Sequence, residues 1–196
     1  MDFERHCAEI VAQTALLTGY LDGADLKVQV STCPGWNASQ LLRHVDGGHR
    51  WAAEIVSTRA VQPPPDVALR DLSGYTDEDP TLLAASLTDG ASLLAAALRE
   101  AVPKAQMWCP VDGGGAAFYA RRFAHETAIH RADAALALGT RFVIDGDFAA
   151  TVSMSGLNLV VSLFISRFTR RCVSYSGRAA SSACGPPIRT GPGCWT

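Results

Sequence analysis

The sequence predicts an all-α protein built as a four-helix bundle. Three observations predict it. Four long stretches repeat apolar residues at three- and four-residue spacing. Glycine- and proline-rich breaks separate them, and no stretch between them reads as a convincing strand. Hydrophobic residues make up 48% of the 196 positions, enough for a real core at this size.

The first helix is expected from Asp2 to about Leu21. Phe3, Ile10, Leu17 and Leu21 fall at helical spacing, and Gly19 weakens the end. Gly23 to Gly35 reads as a loop that closes on Cys33-Pro34-Gly35-Trp36. The second helix starts at Asn37, a good N-cap, with Gln40 completing a capping-box pattern. It runs to about Thr58 and places Leu41, His44, Gly48, Trp51 and Ile55 on one face. Residues 59 to 79 contain Pro63-Pro64-Pro65, which cannot continue a helix. A connection this long exceeds what antiparallel neighbours need. It can return the chain to the starting end of the bundle, making the third helix parallel to the second. The third helix spans about Thr81 to Val102, with Gly90 as a weak spot. Gly113-Gly114-Gly115 precedes the fourth, which spans about Ala116 to Leu138 and is capped by Gly139. The glycine triplet lacks the rest of a phosphate-binding motif.

A formal net charge of -2 offers no basic surface for nucleic acid or an anionic membrane. No apolar run reaches the roughly 18 residues that span a bilayer. The N-terminus, MDFERHCAEIV, is charged where a signal peptide is apolar. A cytoplasmic protein is expected. Six cysteines with no C-x-x-C pair do not form a disulfide framework or a zinc ribbon there, and read as small buried residues or bystander thiols.

The chemistry lies in the fourth helix. His125-Glu126 and His130 give H-E-x-x-x-H, not the H-E-x-x-H of zinc proteases. At about 100° per residue, His125 and His130 point about 140° apart and cannot share an ion. Glu126 and His130, at i and i+4, can. Tyr119, Phe123, Glu126, His130 and Ala134 form one stripe that is apolar apart from the pair. A carboxylate facing a core is costly unless paired or coordinated. His44 stands among Leu41, Trp51 and Ile55 in the same way. His44, Glu126 and His130 are therefore the candidate ligands of one divalent cation, with a fourth position open as in catalytic zinc sites. A satisfied core histidine and an ordinary Glu–His hydrogen bond fit the same pattern. His6, His49 and His125 are alternatives to His44. His125 lies off the inward stripe and reads as a surface residue or as one standing behind a ligand, and Arg121, Arg122, Arg131 and Asp133 read as a solvated face with local ion pairs.

Two segments carry a resemblance. Thr32-Cys33-Pro34-Gly35-Trp36 through Leu41-Leu42-Arg43-His44-Val45, and Ala117 to Arg122 followed by His125-Glu126 and His130-Arg131-Ala132-Asp133-Ala134, resemble the metal-ligand segments of the mycothiol-dependent maleylpyruvate isomerase family. That family belongs to the DinB-like metal-binding four-helix bundles. The resemblance covers about residues 1 to 146. It implies that His44, Glu126 and His130 hold a divalent metal, zinc in the family, and that mycothiol binds as thiol cosubstrate. In the isomerase the thiolate would add to the cis double bond of maleylpyruvate. Rotation about the resulting single bond and elimination would then give fumarylpyruvate. Relatives act on other electrophiles, so the ligands do not fix the substrate. The rival readings are a non-catalytic metal-binding bundle, decayed or serving as an interaction module, and a metal-free bundle with a buried polar network.

Residues 147 to 196 depart from the family. Relatives continue into a small α/β domain opening with a segment like A-D-G-V-D-E-W-L-E-L. Here Ala150 to Leu159 reads ATVSMSGLNL. A coding of that stretch exists whose next frame reads D-G-V-D-E-W-L-E-L, and Ser174 to Trp195 admits a similar shift. The expectation is a frameshifted tail from about Thr151, the alternative a divergent one. No acidic residue follows Asp147. The apolar run Leu157 to Phe168 would be prone to aggregate unless it packs on the bundle.

Overall fold

The computed structural model describes residues 1–158. Among them the elements are α1 (Phe3–Thr18), α2 (Ala38–Thr58), α3 (Val67–Arg70), α4 (Pro80–Ala101), α5 (Ala116–Ala137) and α6 (Gly146–Asn158). One isolated bridge pairs Gln29 with Asn37. The four expected helices are α1, α2, α4 and α5. α3 was not expected, because a single turn inside the long connection carries no periodicity. α6 was not expected either. The frameshift reading and the run Leu157 to Phe168 fall almost entirely outside the described residues.

Local chemistry sets the helix ends. The Asp2 carboxylate accepts the Arg5 N–H at 2.8 Å. Asn37 and Gln40 make both bonds of a capping box, each 3.0 Å. Asp79 caps α4 with Pro80 in its first turn. α5 ends in a Schellman turn, with Gly139 at φ +66° and the Thr140 N–H donating to Ala135 O at 2.8 Å.

The long connection does return the chain. Leu41, Leu42 and Val45 share one core cluster with Leu83 and Leu87, while Ala52, Ile55 and Val56 share the other with Leu94 and Leu98. α2 and α4 are therefore parallel. α1 and α5 are parallel too, since His6 stands beside His125 and Gln13 bonds Arg131. α5 runs antiparallel to α2, with His44 beside His130 and His49 beside Thr127.

Gly90, a weak spot by propensity, is a close approach of α4 to α2. A Cβ there would stand 2.7 Å from Asp46 Oδ1. That buried carboxylate accepts from Arg43, Arg50 and Ser86. By length and mean hydropathy α4 passes the test for a membrane span, contrary to the sequence expectation. Its Leu83, Leu87, Leu94 and Leu98 are buried in the bundle, so the apolarity is that of a core helix. In α6, Phe148 and Val152 join the same core, so packing continues past residue 146.

α5 corrects the single-stripe picture. It packs against both α1 and α2 and is buried on more than one face. Arg122, Arg131 and Asp133, expected in solvent, are buried, and so is His125. A helix flanked by two neighbours needs two inward faces, and its polar residues then face other helices. Arg131 shows how their cost is met: it donates to Gln13 Oε1, Tyr20 Oη and Val143 O, each at 2.8 Å, with its guanidinium over Phe142.

Candidate metal centre

Antiparallel α2 and α5 bring the three candidate ligands together. One donor atom from each of His44, Glu126 and His130 lies within 4.8 Å of the others. His44 Nε2 stands 3.9 Å, and His130 Nε2 3.2 Å, from Glu126 Oε1. The cluster opens to solvent at His44, whose side chain is 26% exposed against 11% for Glu126 and 8% for His130.

Both imidazoles are oriented from behind. His44 Nδ1 lies 3.2 Å from Leu69 O, so it carries the proton and donates to that carbonyl. Leu69 belongs to α3, and its side chain lies against Gly47 of α2. The Trp36 ring flanks the other side at 5.0 Å between centroids. His130 Nδ1 lies 2.9 Å from Asp133 Oδ2 and donates to it. Each Nε2 therefore faces Glu126, and at His130 a cation would take the place of the proton that Glu126 accepts. This is the arrangement in which histidines ligate metals, one nitrogen donating to an oxygen and the other free to coordinate.

Glu126 is held from the opposite side by Arg122, whose Nη2 is 2.8 Å from Oε2. One carboxylate oxygen is thus engaged and the other faces the imidazoles. Burial pushes the Glu126 carboxyl up, but Arg122, His130 and His44 outweigh it and hold it well below the usual carboxylate range. Burial likewise opposes charge on His130, yet Asp133, Cys33 and Glu126 raise it well above the ordinary histidine value. The local field strongly favours positive charge between the three side chains.

The other histidines do not join the cluster. His49 is fully enclosed, with Nε2 2.8 Å from Thr127 Oγ1, and burial drives it down to about 4. His6 and His125 meet edge to face at 5.7 Å on the far side of α5, and His125 bonds Thr151 Oγ1 at 3.1 Å. Sequence reasoning missed Arg122, Asp133 and Leu69 O. The spacing Glu126 to Arg122 and His130 to Asp133, one turn each, was the available signal for the first two. Nothing local marks a backbone carbonyl from a distant turn. Cys33, read as a small buried residue or a bystander thiol, is buried with Sγ 3.8 Å from Asp133 Oδ2.

The family model for the mycothiol maleylpyruvate isomerase N-terminal domain matches residues 7–135. No curated protein matches the sequence. Among solved structures, a mycothiol-dependent maleylpyruvate isomerase superposes with a TM-score of 0.61 at 17% identity, covering 80% of this chain and 70% of that one. A histidine-to-alanine mutant described by the same enzyme name gives the same TM-score at 16% identity and the same coverage. At such identity the superpositions establish the shared fold. The family match spans more than half of the 196 residues, and the chain belongs to the mycothiol maleylpyruvate isomerase N-terminal domain family.

Proposed function

We propose that this chain is a zinc-dependent, mycothiol-using isomerase or thiol transferase, with His44, Glu126 and His130 as the ligands of one divalent cation. The observation that carries the reading is the pair of oriented imidazoles whose Nε2 atoms face one carboxylate oxygen. The donors suit zinc in type and number. When bound there, the cation supplies a Lewis acid that lowers the pKa of a thiol and favours its thiolate.

The protein's own residues do the rest. Leu69 O and Asp133 fix the tautomers of His44 and His130. Arg122 keeps Glu126 ionised and turned. Exposure at His44 supports an approach of thiol and electrophile from the α2 side, beside Trp36. The substrate class is a small electrophile with an activated double bond or similar acceptor. A thiolate adds, the new single bond rotates, and elimination returns the thiol. A metal-binding bundle without catalysis is the second reading, motivated by the tail's departure from the family pattern.

Metal analysis of the wild type beside Glu126→Ala and His44→Ala tests the ligand set. The wild type should hold one equivalent and both variants lose most of it. Full metal in both variants rejects the assignment. Mycothiol titration of the metal-loaded protein then separates the readings. Thiol binding with turnover of maleylpyruvate supports the enzyme, and metal without thiol binding supports the inert bundle.

A further inference from the structure

Behind the proposed centre lies a second set of convergent donors. Cys33, His130 and Asp133 each place one ligand atom within 4.8 Å of the other two, and all three are buried. Cys33 Sγ is 3.8 Å, and His130 Nδ1 2.9 Å, from Asp133 Oδ2. Tetrahedral coordination with bonds of about 2.0 to 2.3 Å places donors roughly 3.5 Å apart. With all three donor atoms within 4.8 Å of one another, modest side-chain shifts bring them to that spacing.

The geometry points to a second, thiolate-containing metal site for soft divalent cations, formed by Cys33, Asp133 and His130 Nδ1 and competing with the first for His130. Two features favour such an ion there. A thiolate and a carboxylate together neutralise a divalent charge, which suits a fully buried position. Sulfur selects soft cations such as cadmium over the harder ions that imidazole and carboxylate accept. By contrast His44, Glu126 and His130 leave one net positive charge and open to solvent at His44.

The protons balance. Coordination removes the Cys33 S–H proton, which leaves to solvent. Coordination also displaces the proton on His130 Nδ1, which leaves to solvent, while Nε2 keeps the proton that Glu126 Oε1 accepts at 3.2 Å. While Nε2 carries that proton it cannot ligate, so filling the buried set empties His130 from the outer one. The competition rests on the proposed function, whereas the buried set stands without it.

Cadmium titration of the metal-free full chain tests this, in a background with Cys172, Cys184 and Cys194 changed to serine. The readout is the ultraviolet thiolate-to-cadmium charge-transfer absorption. One equivalent should raise it in that background and equally in His44→Ala. Cys33→Ser and Cys33→Ala, checked for helicity by circular dichroism, should abolish it. No charge-transfer absorption in the background protein overturns the site, as does absorption that survives both Cys33 substitutions. Loss of outer-site metal in His44→Ala alongside intact cadmium absorption keeps the two proposals separable.

Discussion

Asp133 Oδ2 receives the Nδ1–H of His130 at 2.9 Å, and that single bond decides which face of the imidazole is available for coordination. The two residues are one turn apart on α5, so the orientation is built into one helix and does not depend on a loop.

Removing that acceptor frees the ring to change tautomer and rotate. Asp133→Ala should weaken metal binding about 10- to 100-fold, the usual cost of losing a carboxylate behind a ligating histidine. Competition with a chromophoric chelator measures it. An affinity within twofold of wild type would show the bond to be idle.

Arg131 anchors α5 to α1 and to the segment after α5 through three donors aimed in different directions. Arg131→Ala should cost about 2 kcal/mol or more, because buried Gln13 Oε1 loses its charged donor and the packing of the guanidinium over Phe142 is lost. Arg131→Lys should not restore stability, since one ammonium cannot match the planar fork. Urea midpoints of the three proteins decide this, and a lysine variant as stable as wild type would refute it.

At Gly90, two effects compete. Alanine gains about 1 kcal/mol of helix propensity. Its Cβ would also meet Asp46 Oδ1 at 2.7 Å, an atom tied to Arg50. Overpacking typically costs about 1 to 3 kcal/mol. Gly90→Ala should therefore be net destabilising, with a lower thermal midpoint. A raised midpoint would mean that Asp46 yields freely.

Burial, with His6, Arg121 and Arg122 nearby, drives His125 down to about 3. The unfolded chain binds a proton near pH 6.5 that the folded one refuses, so stability is present above that pH and falls as acid is added. Between pH 7 and 5 this one group should remove about 2 kcal/mol from the metal-free protein. His125→Asn should lose that part of the slope even if its stability at pH 7 is lower. Equal slopes in urea titrations at the two pH values would contradict a neutral, buried His125.

Much of the candidate site was legible because its signals are local. The i, i+4 spacing of Glu126 and His130 needs only helical geometry, and the polar residue on the apolar face around His44 needs only periodicity. The reading of Arg122, Arg131 and Asp133 as solvated failed for the opposite reason. Their burial depends on how many neighbours α5 has, which no spacing along α5 records. Leu69 is the sharpest case, since a carbonyl in a one-turn helix 25 residues from His44 orients that imidazole.

By itself the sequence determined the four helices, their caps at Asn37 and Gly139, the length of connection that makes α2 and α4 parallel, and three residues able to converge on an ion. Each follows from short-range backbone geometry or chain reach. The tertiary structure alone decided that α5 lies between α1 and α2, and that Asp133 and Leu69 stand behind the imidazoles. It also decided that Cys33 faces Asp133 across 100 residues of chain. Those facts arise where separate segments meet, and packing fixes them.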